Sequence, residues 1–185
     1  MPSKIVIFLA NGFEEIEAVT PIDIFRRIEL PAVLCAVTRD GSREVTSSRG
    51  ITIKCDALPE ELDPADFMLT YFPGGMPGAT NLAADIRVTD FAREVYDNGG
   101  YCAAICAAPL ALDAAGLIAP DTEYTCYPGI EKHIDSGHYT GKFTQQSGHI
   151  ITACGPAASI PFVLEILRNI GYAQEADNLG DAMLI

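Results

Sequence analysis

A cysteine, a run of glutamates, a glycine pair and a few histidines have the types and spacing to do chemistry in this chain. Cys106 lies within Gly99 to Gly116, GGYCAAICAAPLALDAAG. The apolar run Tyr101 to Ile105, bounded upstream by Asn98-Gly99-Gly100, has the form of a buried strand. After Cys106 the composition turns to Ala and Leu, with Pro109 suited to a first helical turn and Gly116 to a C-cap. Cys106 is thus expected where a strand hands over to a helix, beside N–H groups that favour negative charge. A thiol in that position should ionise more readily, and the thiolate is the reactive form. The corner is the cysteine counterpart of a nucleophile elbow, with Ala104 and Ala108 in place of the glycines of G-x-S-x-G. The competing reading is a small buried hydrophobe, and the local sequence does not separate the two.

A nucleophilic thiol needs a proton partner and a stabiliser for oxygen anions. Glu14, Glu15 and Glu17 open a helical stretch, with Glu14 and Glu17 on one face. Acids in a first turn also complement the helix dipole with no further role. Glu17 is the stronger candidate, set deeper between Ile16 and Ala18-Val19. A buried carboxyl beside a thiolate has its pKa raised and can then move a proton. Pro73-Gly74-Gly75 reads either as a turn or as a backbone that approaches closely, letting the Gly75 N–H join that of Ala107 in an oxyanion hole. No G-x-G-x-x-G or Walker motif follows, so nucleotide binding is not indicated. His133, His138 and His149 have no Cys or His at finger-like spacing, and no metal site is expected.

The elements that must position these residues alternate between strand and helix. Lys4 to Ala10, Ala32 to Thr38 and Phe67 to Phe72 are apolar runs expected as buried parallel strands. A helix from about Phe13 to Arg27 is expected to kink or restart at Thr20-Pro21. Ser42 to Ser47 and Ile51 to Cys55 suggest a hairpin turning at Arg49-Gly50. Leu58 to Asp66 reads as loop, and a helix starting at Asn81 or Asp85 should reach about Tyr96. Thr122 to Cys126, Phe143 to Gln146 and His149 to Ala153 read as short strands. Ala157 to Ile170 carries an apolar helical face. Such alternation implies an α/β sandwich whose sites form at the carboxyl ends of the strands. The junctions Gly12 to Glu17, Pro73 to Gly78 and Ala104 to Ala108 all fall at such ends, which favours the reactive reading of Cys106.

At 185 residues the chain suits a single domain, 1–185. A net charge of −13 from 12 basic and 25 acidic residues disfavours nucleic acid as a partner. No apolar run is long enough for a membrane span. Met1-Pro2-Ser3-Lys4 enters a strand-like run without the h-region of a secretion signal, and a cytoplasmic location is expected. There the six cysteines would stay reduced.

Gly12 to Arg27 (GFEEIEAVTPIDIFRR), Phe72 to Leu82 (FPGGMPGATNL), Ala103 to Pro109 (AAICAAP) and Cys154 to Ser159 (CGPAAS) together resemble the ThiJ/PfpI superfamily. Within it the chain looks closest to the bacterial relatives of the parkinsonism-linked protein deglycase. The resemblance implies a flavodoxin-like sandwich with a mostly parallel central sheet, helices on both faces, and a homodimer. It implies Cys106 as nucleophile, Glu17 as the acid bonded to it, and the Gly75 and Ala107 backbones as oxyanion donors. Gly74, Tyr127 and Pro156 would line the pocket, and Arg49 would approach from the partner subunit. Tyr127-Pro128 stands where animal members have His-Pro, so a Cys-His dyad is absent and protease activity is not expected. The implied activity is cofactor-free conversion of methylglyoxal or glyoxal, or deglycation of their early protein adducts. The alternative is an oxidative-stress sensor or holdase chaperone using the same cysteine.

Overall fold

The computed structural model describes residues 3–185; Met1 and Pro2, the first residues of the leader-free start expected above, lie outside them. The strands and helices are, in chain order, β1 (Lys4–Ala10), α1 (Glu15–Arg27), β2 (Ala32–Val37), β3 (Glu44–Thr46), β4 (Thr52–Lys54), β5 (Phe67–Phe72), α2 (Gly78–Ala83) and α3 (Ile86–Asp97). They continue with β6 (Tyr101–Ile105), α4 (Pro109–Ala114), β7 (Glu123–Tyr124), β8 (His138–Tyr139), β9 (Thr144–Ser147), β10 (Ile150–Ala153), α5 (Ser159–Asn169) and α6 (Ala173–Ala182).

Apolar runs such as KIVIFLA have no polar face, so a sheet made from them must be covered on both sides. Six strands form that sheet in the order β2-β1-β5-β6-β10-β9. All neighbouring pairs are parallel except β9, which runs antiparallel to β10 at the edge. One face packs Phe25, Ala18, Phe162, Leu167 and Leu179 from α1, α5 and α6 against Ile5, Ile7 and Tyr71. The other packs Leu82, Phe91, Val95 and Leu112 from α2, α3 and α4 against Val6, Phe8 and Phe72. The architecture is the expected α/β sandwich with helices on both faces. The strand order reverses direction between β1 and β5, so the loops after these strands part at their carboxyl ends, where α/β sheets place their sites.

Several boundaries differ from expectation for local reasons. The expected hairpin at Arg49-Gly50 forms as β3 and β4. Asp85 does start a helix, its carboxylate accepting the Arg87 N–H at 3.0 Å, but Gly78–Ala83 forms a further short helix before it. The segment Thr122 to Cys126 keeps only β7, which pairs with β8 in a stretch that carries no apolar period. As expected, Gly116 terminates the helix after Cys106: it lies just past the cap Ala115 at φ 68°, and its N–H donates to the Asp113 carbonyl at 2.7 Å. α5 begins at Ser159, after a single turn of 3-10 helix at Pro156–Ala158.

The largest departure is α1, which runs unbroken through Pro21 instead of restarting at Thr20. A proline inside a helix cannot donate to the carbonyl four residues earlier. That carbonyl belongs to Glu17, and the buried Tyr71 hydroxyl from β5 donates to it at 3.0 Å. The bond that proline removes is thus supplied from the sheet, and the helix continues to Arg27. We expect Tyr71→Phe, which strands this buried acceptor, to lose about 1–3 kcal/mol in urea unfolding. The loss should shrink in a Pro21→Ala background, where residue 21 regains its N–H; equal losses in both backgrounds would show that the hydroxyl does not substitute for the helix bond.

Candidate active site

Three strand ends build the site. After β1 the chain passes Asn11 and Gly12 into α1, whose N-cap Glu14 accepts the Glu17 N–H at 2.8 Å. After β5 the loop Pro73-Gly74-Gly75 runs against that helix start. Glu14 N–H donates to the Gly74 carbonyl at 2.9 Å, and Gly74 N–H donates to Glu17 Oε2 at 2.8 Å. The two loops are therefore pinned together through one glycine. A Cβ on Gly74 would lie 2.7 Å from both Cys106 Cβ and Glu17 Oε2, so only glycine fits between thiol and carboxyl. Gly75, at φ 88°, has a left-handed backbone that favours the same residue.

Cys106 follows β6 and has φ 64°, a left-handed conformation that a non-glycine residue seldom adopts. This is the sharp corner expected from the sequence. It is fixed at both ends: its N–H donates to the Ala153 carbonyl of β10 at 2.9 Å, and its carbonyl accepts the Tyr127 N–H at 2.8 Å. Such strain costs on the order of 1–3 kcal/mol and persists only where the surroundings enforce it. The side chain is partly buried against the core and partly accessible.

Glu17 is fully buried. Its Oε1 has no hydrogen-bonding nitrogen or oxygen among the described residues, and the carboxyl faces the Cys106 thiol. Burial pushes Glu17 up from 4.5 to about 7, against hydrogen bonds from Cys106 and Gly74 that lower it. The thiol departs from expectation. Burial and the Glu17 charge push Cys106 upward, and the backbone N–H groups of Ala107 and Gly75 counter this only in part. The helix behind it is a six-residue piece, so the favourable N–H groups are these two local amides. Thiol and carboxyl form one coupled pair that resists carrying two negative charges at once. In such a pair the carboxylate can take the thiol proton as sulfur forms a bond, while the two amides face any charge left on sulfur or oxygen.

The other expected residues divide. Tyr127 is half exposed; its ring lies over Gly155, where an added Cβ would meet it at 3.4 Å. Pro156 begins the next turn, partly buried. Arg49 is exposed on the β3–β4 turn, and no hydrogen bond or ion pair joins it to Glu17 or Cys106. Its backbone N–H and the Ser47 hydroxyl instead donate to Glu15, at 2.6 and 2.5 Å. Sequence reasoning missed this role of Glu15, as well as the Tyr71 contact to Glu17. The glutamate run carried the first signal; the second required knowing that β5 lies beneath α1. Among the described residues, no group of three or more His, Cys, Asp or Glu side chains is arranged to hold a metal.

Residues 3–169 match the DJ-1/PfpI family. The chain belongs to that family. It is 33% identical over 179 residues to the Parkinson disease protein 7 homolog of Danio rerio, covering 94% of this chain and 92% of that one. It is 28% identical over 177 residues to the glutathione-independent glyoxalase DJ-1 of Schizosaccharomyces pombe, covering 90% and 91%. The crystal structure of Drosophila melanogaster DJ-1beta superposes with a TM-score of 0.92 at 26% identity, over 100% of this chain and 99% of that one. The DJ-1-type fold is therefore shared over the whole sandwich, C-terminal helices included.

The raised pKa of Glu17 has a consequence for stability. The folded chain binds this proton more tightly than the unfolded chain, so the group's contribution is complete below about pH 4.5 and fades as pH rises through about 7. A rise of that size corresponds to about 3 kcal/mol. Denaturant unfolding between pH 4.5 and 7.5 should show wild type losing stability relative to Glu17→Gln by that order. Parallel profiles would mean that the carboxyl is ionised throughout.

Proposed function

We propose that the chain is a cofactor-independent glyoxalase or deglycase of the DJ-1 type, acting on methylglyoxal, glyoxal or their early protein adducts. What carries the reading is the half-buried Cys106 on a left-handed corner, held against a fully buried carboxyl and two backbone N–H groups. The printed activity of the Schizosaccharomyces pombe relative supports it.

In this reading the Cys106 sulfur attacks the aldehyde carbon, forming a carbon–sulfur bond while Glu17 takes the thiol proton. The carbonyl electrons move to oxygen, which the Ala107 and Gly75 N–H groups stabilise. Glu17 returns that proton to the oxygen. The freed carboxylate then relays a proton from the former aldehyde carbon to the neighbouring carbonyl carbon, while the hydroxyl proton passes to the neighbouring oxygen. That transfer oxidises the first carbon to a thioester and reduces the second to a hydroxyl-bearing carbon. Water cleaves the thioester, releasing the hydroxy acid and restoring the thiol. Every electron stays within the substrate, so no cofactor is called for. Tyr127 shapes the pocket with Pro156.

We further propose a cytoplasmic homodimer. Ile16, Val19 and Ile51 are 55%, 45% and 52% exposed and flank the Glu15–Arg49 contact, a face suited to a second copy. Pairing there would bring Arg49 toward the neighbour's site. No helix among the described residues is long and apolar enough to cross a membrane.

Methylglyoxal turnover tests the chemistry directly. Cys106→Ala should abolish it, and Glu17→Gln should lower kcat by about 100- to 10,000-fold. Full turnover in Cys106→Ala would overturn the mechanism. Protection of a client protein from aggregation that survives in Cys106→Ala would instead reveal a holdase activity independent of the thiol.

A further inference from the structure

Six cysteines are present, and the four named Cys35, Cys55, Cys102 and Cys126 are buried. Only Cys106 and Cys154 reach the surface. They come from distant parts of the sequence, yet β6 and β10 are adjacent and parallel, and their last registered pair is Ile105 with Ala153. Cys106 and Cys154 each follow directly after that pair, Cys106 at its left-handed corner. Cys106 N–H still donates to the Ala153 carbonyl at 2.9 Å, and Cys154 N–H donates to the Phe143 carbonyl at 3.0 Å. Both side chains pack against the same face of the core. Neighbouring strands run about 4.8 Å apart, and a disulfide spans Cα separations of about 4.4–6.8 Å.

We propose that Cys154 is a resolving thiol, which captures oxidised Cys106 as an intramolecular disulfide. A peroxide is the oxidant. The Cys106 sulfur attacks one peroxide oxygen and the O–O bond breaks. Sulfur becomes a sulfenic acid, and the displaced hydroxide, protonated, leaves as water. The Cys154 sulfur then attacks the Cys106 sulfur, forming the S–S bond and breaking the S–O bond. The departing hydroxide takes the proton given up by the Cys154 thiol. Two thiols and one peroxide yield one disulfide and two waters, with two electrons passed from sulfur to oxygen. The pairing returns Cys106 to use by simple thiol exchange, whereas the sulfinic acid reached by a second oxidation is not reversed that way. The other four cysteines are shielded by burial from both steps.

This inference rests on the reactive Cys106 of the preceding reading, not on its dicarbonyl substrate. The test titrates the reduced chain with hydrogen peroxide, then alkylates free thiols and maps peptides by mass spectrometry. Two thiols should disappear together, with one peptide linking Cys106 to Cys154, and dithiothreitol should restore both. Cys154→Ser and Cys154→Ala should each lose a single thiol, gain oxygen at Cys106, and recover several-fold less of it on reduction. A wild-type chain that forms sulfinic acid at Cys106 as fast as both variants, with Cys154 free, would overturn the proposal. So would a link from Cys106 to Cys126. Methylglyoxal turnover of the same reduced sample keeps the readings apart: retained turnover without the link removes the disulfide alone.

Discussion

A carboxyl group with no exposed surface must either stay neutral or be compensated by the chain around it. Glu17 meets that demand with one backbone N–H, from Gly74, and one thiol. Much of the local structure follows from supplying those two partners. The Gly74 N–H reaches the carboxyl only because that residue has no side chain to collide with it. The loop carrying Gly74 lies at the right height because its carbonyl accepts Glu14 N–H from the start of the same helix. The helix continues past Pro21 with Tyr71 supplying the bond that Pro21 omits. The start of α1 is thus tied to β5 and its loop by three hydrogen bonds, two of them made by Glu17 and one by Glu14.

That constraint also sets the character of the cysteine. A thiol beside a helix start is usually read as a low-pKa nucleophile, and here the local amides do pull in that direction. Desolvation and a neighbouring carboxylate pull harder the other way. The result is a shared proton, suited to chemistry in which sulfur forms a bond as the carboxylate accepts its proton. A free thiolate waiting for substrate would need the carboxyl to remain protonated, and a group titrating near 7 satisfies that only in part at neutral pH. The strained corner supplies what electrostatics withholds, fixing the sulfur in a half-open position between two N–H groups.

The sheet strands and the corner at Cys106 were legible because both depend on local pattern: unbroken apolar runs, and a change of composition at one residue. The candidacy of Glu17 was legible for the same reason, as a carboxyl set between apolar neighbours. Features that depend on distant partners were not. Pro21 reads as a helix start in any sequence, and only Tyr71, 50 positions later, makes it an interior residue. β8 has two exposed residues and no period, so nothing marks it before β7 is in place. The thiol's proton affinity was misjudged because the helix dipole is local, whereas desolvation and the carboxylate arrive from elements packed later. Arg49 carried no chemical signal of its own; its place is set by Glu15, across the β3–β4 turn.

Family membership constrains these findings unevenly. The solved structure of Drosophila melanogaster DJ-1beta, 26% identical, shares the sandwich. A fold alone does not fix chemistry. What narrows it here is that the convergence leaves no room for a side chain at Gly74, so that thiol and buried carboxyl face each other directly. Reactions that suit the pair move a proton over a short distance while sulfur holds the substrate carbon. The same sulfur, once oxidised, cannot form that bond. On the proposed reading, dicarbonyl turnover and peroxide reaction exclude each other at Cys106, so that whatever restores the thiol would also restore the catalyst.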